Sequence, residues 1–220
     1  MNDLIQTVAV FFLPVLFAIT LHEAAHAYAA RYFGDNTAYD EGRMTLNPIV
    51  HIDPVGTILV PILLYFSTGG AFLFGYAKPV PVDFGRLRNP KRNMRWVAFA
   101  GPASNLFMGF IWAMLGILLT AFHVQEPFFY KMVQAGVMVN LVVFAFNLFP
   151  IPPLDGGRVM YSLLPDKIAN QYAKLEPYGF FIVLGLALTK ILYPVWVLPV
   201  VTVASGFLTV LTTPFHFLLN

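Results

Sequence analysis

The chain has no cysteine, so it has neither a disulfide framework nor a thiolate metal site, and any metal it binds must rest on histidine and carboxylate. Charge is scarce as well. Only 11% of the 220 residues are charged, where a water-soluble domain carries about a quarter. The net charge of +2 is too small to argue for nucleic acid as a partner. Internal repeats, low-complexity tracts and a polar soluble domain are also missing. What is present is apolar: 58% hydrophobic residues and a mean hydropathy of +0.71 read as an integral membrane protein.

The apolar runs outline the spans. Leu4 to Tyr32 can cross a hydrocarbon layer about 30 Å thick at about 1.5 Å per residue, with Pro14 as a place for a kink. It is too long for a signal-peptide core and has no basic leader, so it reads as a retained span. Val55 to Tyr76 is apolar but broken by Pro61 and Gly69-Gly70. Trp96 to Phe122 and Phe128 to Phe149 are two spans joined by a turn with His123, Gln125 and Glu126. Tyr178 to Leu219 has room for two more, turning near Lys190 to Pro194. Lys78 to Arg95 holds six of the 13 basic residues against one acid, Asp83, which puts that loop on the cytoplasmic side.

Inside the first run stands His22-Glu23-Ala24-Ala25-His26. Helical positions four apart share a face about 6 Å along the axis, so the two imidazoles can meet one metal ion with Glu23 beside them. An ionisable trio among apolar flanks at membrane depth is costly unless it has a function. Zinc on neutral ligands lowers the pKa of its water, and a neighbouring carboxylate can take that proton, which suits amide hydrolysis.

The second informative stretch is Asn147-Leu148-Phe149-Pro150-Ile151-Pro152-Pro153-Leu154-Asp155-Gly156-Gly157. Its prolines force a non-helical backbone, and its paired glycines let the chain pass close to a neighbour. The residues leave Asp155 open to two roles: a metal ligand in a wet cavity, or the cap of a helix running to Leu164. One metal site needs one depth. If the first helix runs inward, His22 and His26 lie near the cytoplasmic face, as residues 151–157 do. Both ends of Val55 to Tyr76 are then cytoplasmic, which favours re-entry over a crossing.

His22 through His26, Ala100-Gly101-Pro102-Ala103-Ser104-Asn105, and Asn147 through Gly157 follow one another on successive apolar segments. Together they resemble the site-2 protease family of intramembrane zinc metalloproteases. Leu46 through Pro54 and Gly75 through Val82 are similar to a compact prokaryotic branch without PDZ or CBS domain. The resemblance implies zinc as cofactor, His22, His26 and Asp155 as its ligands, and Glu23 as catalytic base. It also implies Asn147 near the active site, contacting substrate backbone or an oxyanion. Asn105 is a second candidate for such positioning, with helix–helix hydrogen bonding as its other role. His51 is a third candidate contact, set against a bond that shapes its own turn. Arg43 to Leu46 could offer an edge to an unwound substrate.

The expected fold is an all-α polytopic membrane protein of about five to six transmembrane helices, with a re-entrant segment and a short β element after the first helix. One integral membrane metalloprotease domain fills 1–220, with its catalytic core over about 4–165 and two accessory spans over about 177–219. The expected function is hydrolysis of peptide bonds within transmembrane segments of other proteins, in the cell membrane, with the active site toward the cytoplasm. The competing reading is a metal transporter, in which the same side chains would mark an ion path. That reading needs no general base and would spread ligands through the bilayer.

Overall fold

A computed structural model of the chain describes residues 2–59, 63 and 78–219. Helix α1 spans Asn2–Tyr32, with Pro14 inside it. It stops where Gly34 takes φ +111°, a conformation that favours glycine and turns the chain out of the helix. A short helix α2, Thr37–Asp40, and 3₁₀ turns at Pro48–His51 and Phe84–Arg86 follow. The long antiparallel pair α3, Pro90–Ala121, and α4, Pro127–Asn147, comes next. Each opens on a proline, whose absent N–H costs nothing in a first turn. Small helices α5, Asp155–Leu163, and α6, Asp166–Ala173, precede α7, Glu176–Leu188, and α8, Leu198–Thr212.

Helices α1, α3 and α4 pack on one another, α5 lies against α3, and α8 covers α3 and α4. Small residues let the long helices approach closely. A Cβ on Gly136 of α4 would fall 2.2 Å from the Trp112 ring of α3, so only glycine admits the indole there. Leu141, Phe144, Ala204 and Leu208 fill the seam between α4 and α8. Lys91 at the start of α3 pairs with Asp166 and donates to the Leu164 carbonyl, tying α3 to the α5–α6 corner.

Four segments are long and apolar enough to cross a membrane: Ile5–Tyr32, Pro90–Ala121, Pro127–Asn147 and Tyr193–Leu218. The five to six spans expected thus become four among the described residues. Helix α7 has 13 residues, and at about 1.5 Å each it falls short of a 30 Å layer. The chain turns at Lys190, φ +59°, within the range where the sequence suggested it. The short β element is absent among the described residues. Arg43 and Met44 both donate their N–H to the Ala38 carbonyl, which closes the turn after α2 and leaves neither for a strand ladder. The expected re-entry of Val55 to Tyr76 lies largely outside the described residues; its start, Pro54–Leu59, is a wide π-type turn.

Candidate metal centre

Helix α1 brings His22 and His26 to one face, and the two rings meet edge to face with Nε2 atoms 3.1 Å apart. From the other side of the fold, Asp155 Oδ2 approaches to 3.1 Å from His22 Nε2 and 3.3 Å from His26 Nε2. The three donor atoms lie within 4.8 Å of one another, and no other such group of histidine and acid occurs among the described residues. Asp155 is the first residue of α5, where the cap position falls to Leu154, and its Oδ2 is buried with no hydrogen-bond partner. Between the two roles left open by the sequence, the geometry places it at the histidines.

The other ring nitrogens decide what these atoms are. His26 Nδ1 lies 2.8 Å from the Val97 carbonyl and His22 Nδ1 lies 2.7 Å from Asn105 Oδ1. Both partners accept, so each neutral ring carries its proton on Nδ1 and presents a bare Nε2. Asp155 Oδ2 is buried without a hydrogen-bond donor. Three lone pairs therefore converge on one spot, which is unfavourable unless a cation lies between them. Zinc–ligand bonds of about 2.0–2.2 Å set tetrahedral neighbours roughly 3.3 Å apart, close to the spacing found. The donor set fits Zn²⁺.

Two features of the backbone make the spot accessible. Gly101 of α3 faces the pair: a Cβ there would fall 2.3 Å from His26 Nε2 and 2.7 Å from His22 Cε1, filling the cradle. On the Asp155 side, Gly156 and Gly157 pass so close to the preceding turn that a Cβ would fall 2.1 Å from the Leu148 carbonyl oxygen and 2.3 Å from Pro152 N. That turn, with a cis Pro152–Pro153 bond, is further held by Tyr172, whose hydroxyl donates to the Pro150 carbonyl at 2.8 Å. Burial pushes the Tyr172 phenol up to about 12, so it stays a donor at physiological pH.

Glu23 is half-buried on α1, and its Oε2 accepts the Val80 N–H at 2.8 Å. Val80 stands between Pro79 and Pro81, which have no N–H to offer, so this donor is fixed by the sequence. Arg43 holds the same segment from behind through the Lys78 and Pro79 carbonyls.

The remaining candidates separate. Asn105 is wholly buried and spends both amide hydrogens, on the Ala18 carbonyl at 3.0 Å and Asn140 Oδ1 at 3.1 Å. None is left for a substrate or an oxyanion, so the structure replaces that expectation with a bond network linking helices and His22. His51 is 1% exposed and its Nε2 bonds the Thr45 carbonyl at 2.9 Å, so it shapes its own turn and is shut off from a substrate. Asn147 is half-buried with one hydrogen on the Val143 carbonyl at 3.1 Å and the other free of that bond. Sequence reasoning passed over the Val97 carbonyl and the Val80 N–H, which as main-chain groups leave no residue-type signal. It also passed over Asn140, a fully buried amide whose position in an apolar helix was a usable signal.

Comparison with known proteins gives the same picture. The profile described as peptidase family M50 matches residues 123–189, the part holding Asp155. The Bacillus subtilis protein named "Putative zinc metalloprotease YwhC" is 39% identical over 194 residues, 84% of this chain and 83% of its own length. A Mycolicibacterium smegmatis protein with the same description, Rip2, is 29% identical over 188 residues, 84% of this chain and 70% of its own. No solved structure matches. With 39% identity across most of both chains to a protein named as a zinc metalloprotease, and four apolar helices long enough to cross a membrane, the chain belongs to peptidase family M50 and is a multi-pass membrane zinc metalloprotease of the site-2 protease type.

Proposed function

We propose that the chain is an intramembrane endopeptidase that cuts transmembrane segments of other membrane proteins near the cytoplasmic side, working as one unit with its core over about 4–165. The observation that carries this reading is the meeting of His22, His26 and Asp155 donor atoms next to Glu23, inside a group of membrane-length helices. His22, His26 and Asp155 would hold zinc and leave a position for water. The metal supplies a lowered water pKa and polarisation of the scissile carbonyl.

The chain's own residues do the rest. Glu23 takes the proton from the attacking water and returns it to the departing amine, and the Val80 N–H holds one of its oxygens while the other works. Asn147 has an amide hydrogen to offer to charge growing on the carbonyl oxygen. A substrate helix must unwind before its peptide groups become reachable, so helix-breaking residues near the cut favour cleavage.

Depth supports the cytoplasmic side. His26 bonds Val97, which lies about 10 Å along α3 from Pro90, and the intervening turns carry Lys91, Arg92 and Arg95. A basic helix end faces the cytoplasm, and the site sits a few turns inside it. The test is Glu23→Gln in the purified chain with a helical membrane substrate in bicelles. Cleavage should vanish while zinc content stays at the level of the parent; continued cleavage refutes the assignment. A metal transporter would go on moving zinc with that substitution.

A further inference from the structure

His22 and His26 present the same Nε2 to the metal centre, but different groups hold them. His26 donates Nδ1–H directly to a main-chain carbonyl, that of Val97. His22 donates to a side-chain amide, which can rotate and exchange its donor and acceptor ends. Something must fix the amide of Asn105, or His22 loses its preference for one tautomer.

Two main-chain carbonyls supply that direction. Asn140 on α4 is 0% exposed, and one end of its amide lies 2.8 Å from the Gly136 carbonyl. Only N–H can face a carbonyl oxygen, so Asn140 turns its Oδ1 toward α3. Asn105, also 0% exposed, meets that Oδ1 at 3.1 Å and the Ala18 carbonyl at 3.0 Å. Both contacts demand donors, so the Asn105 NH₂ group faces them and its Oδ1 faces His22 at 2.7 Å. An acceptor there requires hydrogen on His22 Nδ1, and a neutral imidazole has only one. Reversing any member would set two acceptors or two donors against each other in a buried apolar layer, where unmet polar groups are strongly disfavoured.

We infer that Asn140 is a positioning residue for the metal centre: through Asn105 it holds His22 in the tautomer with Nδ1–H, leaving Nε2 as a ready ligand for zinc. The inference rests on the reading of His22 as a zinc ligand. Asn140 itself touches neither metal nor substrate, and it lies on a helix that gives the metal no ligand. His26, anchored to main chain, is independent of it.

The test uses the full zinc-loaded chain in detergent or bicelles, with zinc retention read against a chelator and the imidazoles labelled with ¹⁵N. Asn140→Leu should weaken zinc retention by about 10-fold, within the 10–100-fold range common for groups behind a metal ligand. In the same sample the His22 Nδ1–H signal should shift and exchange faster with water, while the His26 signal stays in place. Asn105→Leu should weaken retention at least as much, and the double variant should be no worse than Asn105→Leu alone, because Asn140 acts only through Asn105. Unchanged retention in Asn140→Leu overturns the inference. So do additive losses in the double variant, or His22 and His26 signals that move together, which is the mark of general loosening. If leucine is not tolerated, Asn140→Ala deletes the amide and is read by the same criteria. His22→Ala separates the two layers. Full zinc retention there sinks the ligand reading itself, whereas lost retention there with none lost in Asn140→Leu sinks only the relay.

Discussion

The two regions that meet at the metal centre are built in opposite ways. Helix α1 delivers His22 and His26 by periodicity alone: any regular helix would put residues four apart on one face. The stretch from Leu148 to Asp155 is irregular, and Asp155 reaches the histidines because glycines at 156 and 157 let α5 press against its own approach turn. One side is a repeat that tolerates error in its neighbours. The other is a fitted contact with no slack. Both bring donor atoms to one spot, but they should fail under different perturbations.

The largest effect is expected where the two sides are cut from one another. Asp155→Ala and His26→Ala should each abolish cleavage and strip zinc on dialysis, measured by metal analysis of the purified chain; a variant that keeps its zinc would remove that residue from the ligand set. Glu23→Gln comes next, with cleavage down by about 10²–10⁴ and zinc retained, which would divide chemistry from metal holding within a single helix.

Crowding each side then probes the slack. Gly157→Ala should displace the turn and lower zinc affinity, with a stability loss of about 1–3 kcal/mol by denaturation in detergent. On the helix side, Ala25→Ser changes a half-buried position between the ligands without altering the period, and should leave zinc affinity unchanged. Equal losses in the two would erase the distinction drawn between them. The smallest effect is expected from Tyr172→Phe, which deletes one hydrogen bond to the Pro150 carbonyl and should cost about 1 kcal/mol of stability with cleavage largely preserved.

The same contrast explains what could be read in advance. Long apolar runs placed the ends of α1, α3 and α4 within two residues, because membrane burial leaves a strong compositional trace, except that α3 starts at Pro90, six residues before Trp96, where its basic first turns hide the helix from hydropathy. The stretch from Tyr178 to Leu219 misled, since hydrophobicity reports apolar surroundings and not whether a helix is long enough to cross; α7 is apolar and short. Arg43 to Leu46 misled because four residues of strand character are easily overruled by a turn that claims their N–H groups. Asn105 was singled out, but its partners belong to two other helices, α1 and α4, and no spacing along the chain could have named them.

From sequence alone came the membrane, by composition, and the metalloprotease family with its zinc, by the resemblance of the motifs around His22 to His26 and Asp155, since apolar runs and local residue patterns survive in a linear chain. Only tertiary structure brought Asp155 to the two histidines, set which nitrogen each ring turns toward it, and made room between the helices at Gly101. Those outcomes depend on distances between segments far apart in the chain, set by glycine clearances and by the direction of buried hydrogen bonds, and no linear pattern carries them.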